Sequence, residues 1–174
     1  MDERKDREPS ATKNRTTVEP KSEREIVVTR TFNATPRIVF QAWTTPALFR
    51  RWWVPKSMPL PLLSYEADIR TGGSYRLVFR MDDTKTMAFF GKYIEVTPYS
   101  RIVWTNEESG EDGAITTVTL EEKGDKTLLV LHELYRSKEA RDAALASGSY
   151  DGMGETFEQL DEVLVELGAQ AAAS

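Results

Sequence analysis

SYEADIRTGGSYRLVFR, residues 64–80, decides the fold. Tyr65, Ala67 and Ile69 alternate with Glu66, Asp68 and Arg70, and after the turn Tyr75, Leu77 and Phe79 alternate with Arg76, Val78 and Arg80. A period of two is that of a strand with one buried face. Between the two halves, Thr71-Gly72-Gly73-Ser74 supplies the positive φ that a tight hairpin needs. Asp68 and Arg70 share one strand face: the alternation favours the outer one, in a surface charge network with Arg76 or Arg80, and the alternative is an inward polar anchor. The paired glycines read as this turn, because no strand–loop–helix context for phosphate binding follows them.

The same period continues downstream. Met87 to Val96, Arg101 to Thr105, Ala114 to Glu122 and Lys126 to Tyr135 each read as a strand, separated by turns. Residues 25–33 are rich in β-branched types and form an earlier one. Short strands joined in series by tight turns make an antiparallel meander, here of seven strands. Two short helices interrupt it after the first strand. Thr35-Pro36 and Thr45-Pro46 each place an N-cap residue before a proline at the first helical position. Ile38, Val39, Ala42 and Trp43 give the first helix its apolar face, and Leu48, Phe49, Trp52 and Trp53 the second. Pro55, Pro59 and Pro61 make an irregular roof loop with Met58, Leu60 and Leu62. Ser137 caps a further short helix to Ala146. Met153, Phe157, Leu160, Leu164 and Leu167 then recur at helical spacing, a stripe that ends at Gly168. The expected architecture is α+β: a curved seven-stranded sheet wrapped around a long C-terminal helix. A gap between sheet and helix, roofed by the short helices and the proline loop, is a natural small-molecule site.

Composition removes much chemistry. Among 174 residues there is no cysteine and one histidine, His132. Thiolate nucleophiles, disulfides and multi-histidine metal sites are excluded, and no metal or other cofactor is expected. A net charge of −5 argues against nucleic acid as a partner. No apolar run reaches the length of a membrane span, and residues 1–25 show no apolar signal region, so a cytoplasmic location is expected. Residues 1–24 are dense in both charges and almost free of apolar side chains, and read as a disordered tail. The folded domain is expected over 25–168, with 169–174 a flexible end. Glu107, Glu108, Glu111 and Asp112 read as a solvated loop. His132 could act as a base with Glu133 or Asp161 near it, but Glu133 points to the opposite strand face, and a structural histidine is the simpler reading. No nucleophile–base pair is visible, so no catalytic residue is assigned.

Phe32-Asn33-Ala34-Thr35-Pro36, Val39-Phe40-Gln41-Ala42-Trp43-Thr44 and Arg51-Trp52-Trp53 resemble the opening of START-like (SRPBCC, helix-grip) domains. Asp68-Ile69-Arg70-Thr71-Gly72-Gly73 resembles the D-x-R-x-G-G segment of the branch named for the heat-shock-protein-90 ATPase activator homologues. Gly91-Lys92-Tyr93-Ile94-Glu95-Val96-Thr97-Pro98 and Gly152-Met153 fit as well, although relatives often carry tryptophan where Met153 stands. The similarity runs from about residue 25 to 167. It implies the helix-grip fold with a deep cavity, and a small hydrophobic or aromatic molecule as partner. It also implies two alternatives: a co-chaperone-like module of the stress response that stimulates a chaperone ATPase, or a cyclase- or hydrolase-type enzyme. The expected ligand-binding residues are Trp43, Trp52, Tyr65, Tyr75, Leu77, Phe79, Trp104, Val118, Met153 and Phe157, with the Tyr65 and Tyr75 hydroxyls adding specificity.

Overall fold

A computed structural model describes residues 15–110, 113–148 and 150–173. One antiparallel sheet has the order β1-β2-β8-β7-β6-β5-β4-β3. Its strands are β1 (Thr17–Ser22), β2 (Glu25–Phe32), β3 (Leu62–Ala67), β4 (Ser74–Arg80), β5 (Thr86–Thr97), β6 (Arg101–Thr105), β7 (Ile115–Lys123) and β8 (Lys126–Leu134). The helices are α1 (Pro36–Thr44), α2 (Pro46–Trp52), α3 (Lys138–Ala146) and α4 (Met153–Ala173). The order is the expected one with an eighth strand added at the front.

That addition corrects the reading of residues 1–24 as a disordered tail. Thr17 to Ser22 pair with β2 as an edge strand, all but Val18 exposed. The segment buries little and needs little apolar content; the open backbone edge of β2 supplies its hydrogen bonds. Residues 1–14 lie outside the described residues.

Alternation decides which side chains reach the core. In β2 every second residue is buried (Ile26, Val28, Arg30, Phe32), and in β8 Thr127, Leu129 and Leu131. These face α4, whose Phe157, Leu160, Val163, Leu164 and Leu167 are all buried. Phe32 meets Phe157 edge to face, with ring centroids 5.4 Å apart. Arg30 is also on this face, 3% exposed, and pairs with Asp161 of α4. Asp161 therefore serves Arg30 and does not stand by His132.

One local expectation needs correction. Gly168 does not end α4, which continues to Ala173. An interior glycine costs only about 1 kcal/mol relative to alanine, and the alanines that follow it favour helix. Thr35 and Thr45 sit at the N-caps of α1 and α2, each with proline in the first turn, but neither side chain makes a capping hydrogen bond. Ser137 does cap α3, accepting from the Ala140 N–H at 3.0 Å.

The hairpin glycines are structural. Gly72 has φ +90°, and a Cβ on Gly73 would lie 1.9 Å from the Asp68 carbonyl oxygen. The turn they make docks on β5: the Gly72 N–H donates to the Tyr93 carbonyl, and the Tyr93 N–H to the Gly73 carbonyl, both at 2.9 Å. Asp68 and Arg70 face solvent, as the alternation requires, and bond each other at 2.9 Å, without Arg76 or Arg80.

Candidate functional site

The sheet's concave face is not wholly filled by α4. Beyond Phe157 the helix runs out at Met153, and the strands from β3 to β6 curve past its end. A cavity of about 870 Å³ opens there, closed by α3 on one side and by residues 53–58 on another. This roof is tied down. The Gln159 amide donates to the carbonyls of Trp52 (3.0 Å) and Val54 (2.9 Å), and its oxygen accepts from the Lys56 N–H at 2.8 Å. Glu155 accepts from the Ser57 N–H at 3.0 Å and from its hydroxyl at 2.5 Å.

One wall is aromatic. Helices α1 and α2 meet at a sharp corner, which brings Trp43 and Trp53 together, while Trp104 rises from β6. The three indoles form a triangle, with centroid separations of 5.8 Å (Trp43–Trp53), 6.0 Å (Trp43–Trp104) and 6.4 Å (Trp53–Trp104). Phe49 stacks on Trp53 at 5.0 Å. Tyr75 and Tyr93 from the neighbouring strands extend the wall, 5.7 Å apart.

The opposite end is polar. Glu133 continues the inward set of β8 after Leu131, and Tyr135 follows it. The Thr116 hydroxyl donates to Glu133 Oε2 at 2.8 Å, and Asn106 Nδ2 donates to the Thr116 oxygen at 2.9 Å. The Tyr135 hydroxyl donates to Glu133 Oε1 at 3.1 Å, and Tyr150 donates to the same oxygen. The two tyrosine hydroxyls are 2.7 Å apart. Burial, reinforced by the Glu133 charge, pushes the hydroxyls of Tyr135 and Tyr150 far above the ordinary phenol range. Both remain donors at any physiological pH. A second carboxylate, Glu108, also lines the space and accepts from the Phe90 N–H at 3.0 Å.

Seven of the ten expected residues line this cavity: Trp43, Tyr65, Tyr75, Leu77, Phe79, Trp104 and Met153. Trp52, Val118 and Phe157 do not. Each is 0% exposed in the core between α4 and the sheet, and Trp52 also gives its indole N–H to the Ala42 carbonyl at 3.0 Å. Spacing marks them as inward, and inward residues near the helix axis become core. The Tyr75 hydroxyl is spent on the Thr105 carbonyl at 2.7 Å. The Tyr65 hydroxyl and the Trp43 indole nitrogen are buried without a hydrogen-bond partner.

Sequence reasoning missed the polar end. Counting forward by two from Leu129 would have placed Glu133 and Tyr135 inside, but Leu128 to Leu131 is an unbroken apolar run that hides the phase. Glu108 is not simply solvated, as the acidic loop suggested; Glu111 and Asp112 lie outside the described residues. His132 faces outward from the sheet and bonds Glu25 at 2.6 Å, a structural pairing. Among the described residues no group of three metal-capable side chains occurs, and no helix is long and apolar enough to cross a membrane.

Comparison with known proteins agrees with this architecture. Residues 33–165 match the family model described as Activator of Hsp90 ATPase homolog 1-like protein. No curated protein sequence matches the chain significantly. A solved protein of Rhodobacter sphaeroides is similar in structure with a TM-score of 0.77 and 27% identity, over 88% of this chain and 99% of that one. One from Chromobacterium violaceum is 27% identical at TM-score 0.65, over 80% and 96% of the two chains. A protein of Nitrosomonas europaea, 22% identical, shares the fold at TM-score 0.74 over 86% and 99%.

Proposed function

The chain belongs to the Activator of Hsp90 ATPase homolog 1-like family, within the START-like fold, and on that premise we propose that it holds a small hydrophobic or aromatic molecule in the central cavity. The observation that carries this reading is an 870 Å³ space walled by three indoles, five tyrosines, three phenylalanines and aliphatic side chains. That volume lies within the range of ligand pockets, and the lining is mostly apolar with a few polar groups at one end, the usual division between affinity and orientation. A well-packed core would leave no such volume.

Trp43, Trp53 and Trp104 make the site its own reporter. Titration with hydrophobic bicyclic aromatics should change tryptophan emission in a saturable way, at one guest per chain. A screen in which no compound shifts emission or melting would remove the ligand-binding reading. It would favour the alternative that the family's description carries, a protein-interaction module acting on a chaperone ATPase. That alternative requires stimulation of an ATPase by the isolated chain.

A further inference from the structure

We infer that the cavity selects a guest with a cationic or strongly hydrogen-bond-donating end, such as a hydrophobic amine, over a hydrophobic acid. The inference rests on the ligand-binding reading above and adds the chemical class of the ligand. Its first support is the charge of the lining. Glu108 and Glu133 are acidic, and no lysine, arginine or histidine lines the cavity among the described residues. Among the described residues neither carboxylate has an ion-pair partner. A fatty or aromatic acid would enter against two like charges with no base to receive it, whereas an ammonium would meet two carboxylates that hold only neutral donors.

The second support is unused acceptor capacity. A carboxylate offers about four lone-pair sites. Glu133 Oε1 takes Tyr135 and Tyr150, but Oε2 takes only Thr116. Glu108 takes the Phe90 N–H. The hydroxyls around Glu133 hold it in place without neutralising it, which leaves an oriented acceptor facing the cavity.

The third support is register. Trp104 pairs with Thr116, and Thr116 pairs with Glu133, so the three stand in one cross-strand row on the concave face. Two strand spacings separate the indole from the carboxylate, about 10 Å. A two-ring aromatic body on the tryptophan wall, with a two-carbon arm, spans that distance and delivers its terminal nitrogen to Glu133.

The test uses the full chain at neutral pH and three probes on one scaffold: naphthylethylamine, naphthylethanol and naphthylpropanoate, titrated calorimetrically. The expected order of affinity is amine, alcohol, acid, with the amine at least about tenfold tighter than the acid. Glu133→Gln should remove most of the amine's advantage over the alcohol, because the charge-assisted bond is lost, and should leave the alcohol within about threefold of its original affinity. Glu122→Gln, on the exposed end of β7, should change nothing. If Glu133→Gln does not fold, Glu108→Gln and the wild-type order carry the test. An acid that binds as tightly as the amine, or an order insensitive to both glutamates, overturns the inference while leaving the cavity reading intact. Binding of none of the three overturns both.

Discussion

Five of the six tyrosines carry an electrostatic consequence that can be read directly. Burial drives the hydroxyls of Tyr65, Tyr75, Tyr93, Tyr135 and Tyr150 well above the usual phenol range, and for Tyr75, Tyr135 and Tyr150 nearby glutamates add to it. For an acid whose folded pKa is raised, the folded state holds the proton longer. Stability from these groups is therefore full below the ordinary tyrosine value near 10 and is lost as pH rises beyond it. Spectrophotometric titration should find these five hydroxyls still protonated near pH 11 while the fold persists, then ionising together on unfolding. Ionisation of these five together near pH 10 in the folded chain would show that the rings are solvated. At this scale the sequence was legible where the alternation was clean. Tyr75, Leu77 and Phe79 are inward, and Asp68 and Arg70 outward, as their strand period requires. It was illegible in β8, where an apolar run hides the phase and Glu133 reads as a surface acid.

Helix α4 shows what periodicity can and cannot tell. Steps of four and three residues pick out Phe157, Leu160, Leu164 and Leu167, and all four are buried. Leu160 is 0% exposed between the helix and the concave sheet. Leu160→Ala should cost roughly 2–5 kcal/mol in urea denaturation, the transfer loss plus a cavity the rigid sheet cannot collapse to fill. A loss below about 0.5 kcal/mol would mean that the residue does not pack there. Where α4 stops was not legible, because a glycine at the end of an apolar stripe resembles a terminus when no large apolar residue follows it to mark further helix. The first strand was hidden for a different reason. β1 forms on the exposed edge of β2 through backbone bonds, and backbone bonding leaves no apolar signature.

Over the whole molecule, the deciding property is how unevenly the concave face is filled. One half is packed solid by α4, with Val118, Trp52 and Phe157 inside it; the other half is open beyond Met153. Two bulky substitutions should separate the halves. Val118→Trp forces a large ring into the packed half and should destabilise the protein by about 1–3 kcal/mol or more. Met153→Trp places its ring at the cavity and should lower guest affinity with little change in melting temperature. Equal melting losses for the two would mean that the space beside Met153 is not available to a guest. Fold class could be read from residue order, since it depends on local periodicity; of the aromatic wall, Trp43, Trp104 and Tyr75 were expected and Phe49, Trp53 and Tyr93 were not. The partition between core and cavity could not be read, because it depends on where the helix ends relative to the curving strands.

The account turns on one claim, that an apolar guest is enclosed between the sheet and the first turn of α4. Calorimetric titration of naphthylethanol at several temperatures tests it most directly, because burial of apolar surface gives a negative heat-capacity change. The expected result is one site per chain with a clearly negative heat-capacity change, and binding that weakens or vanishes in Met153→Trp. A heat-capacity change near zero, or an affinity that Met153→Trp leaves untouched, would place the guest elsewhere and contradict the account.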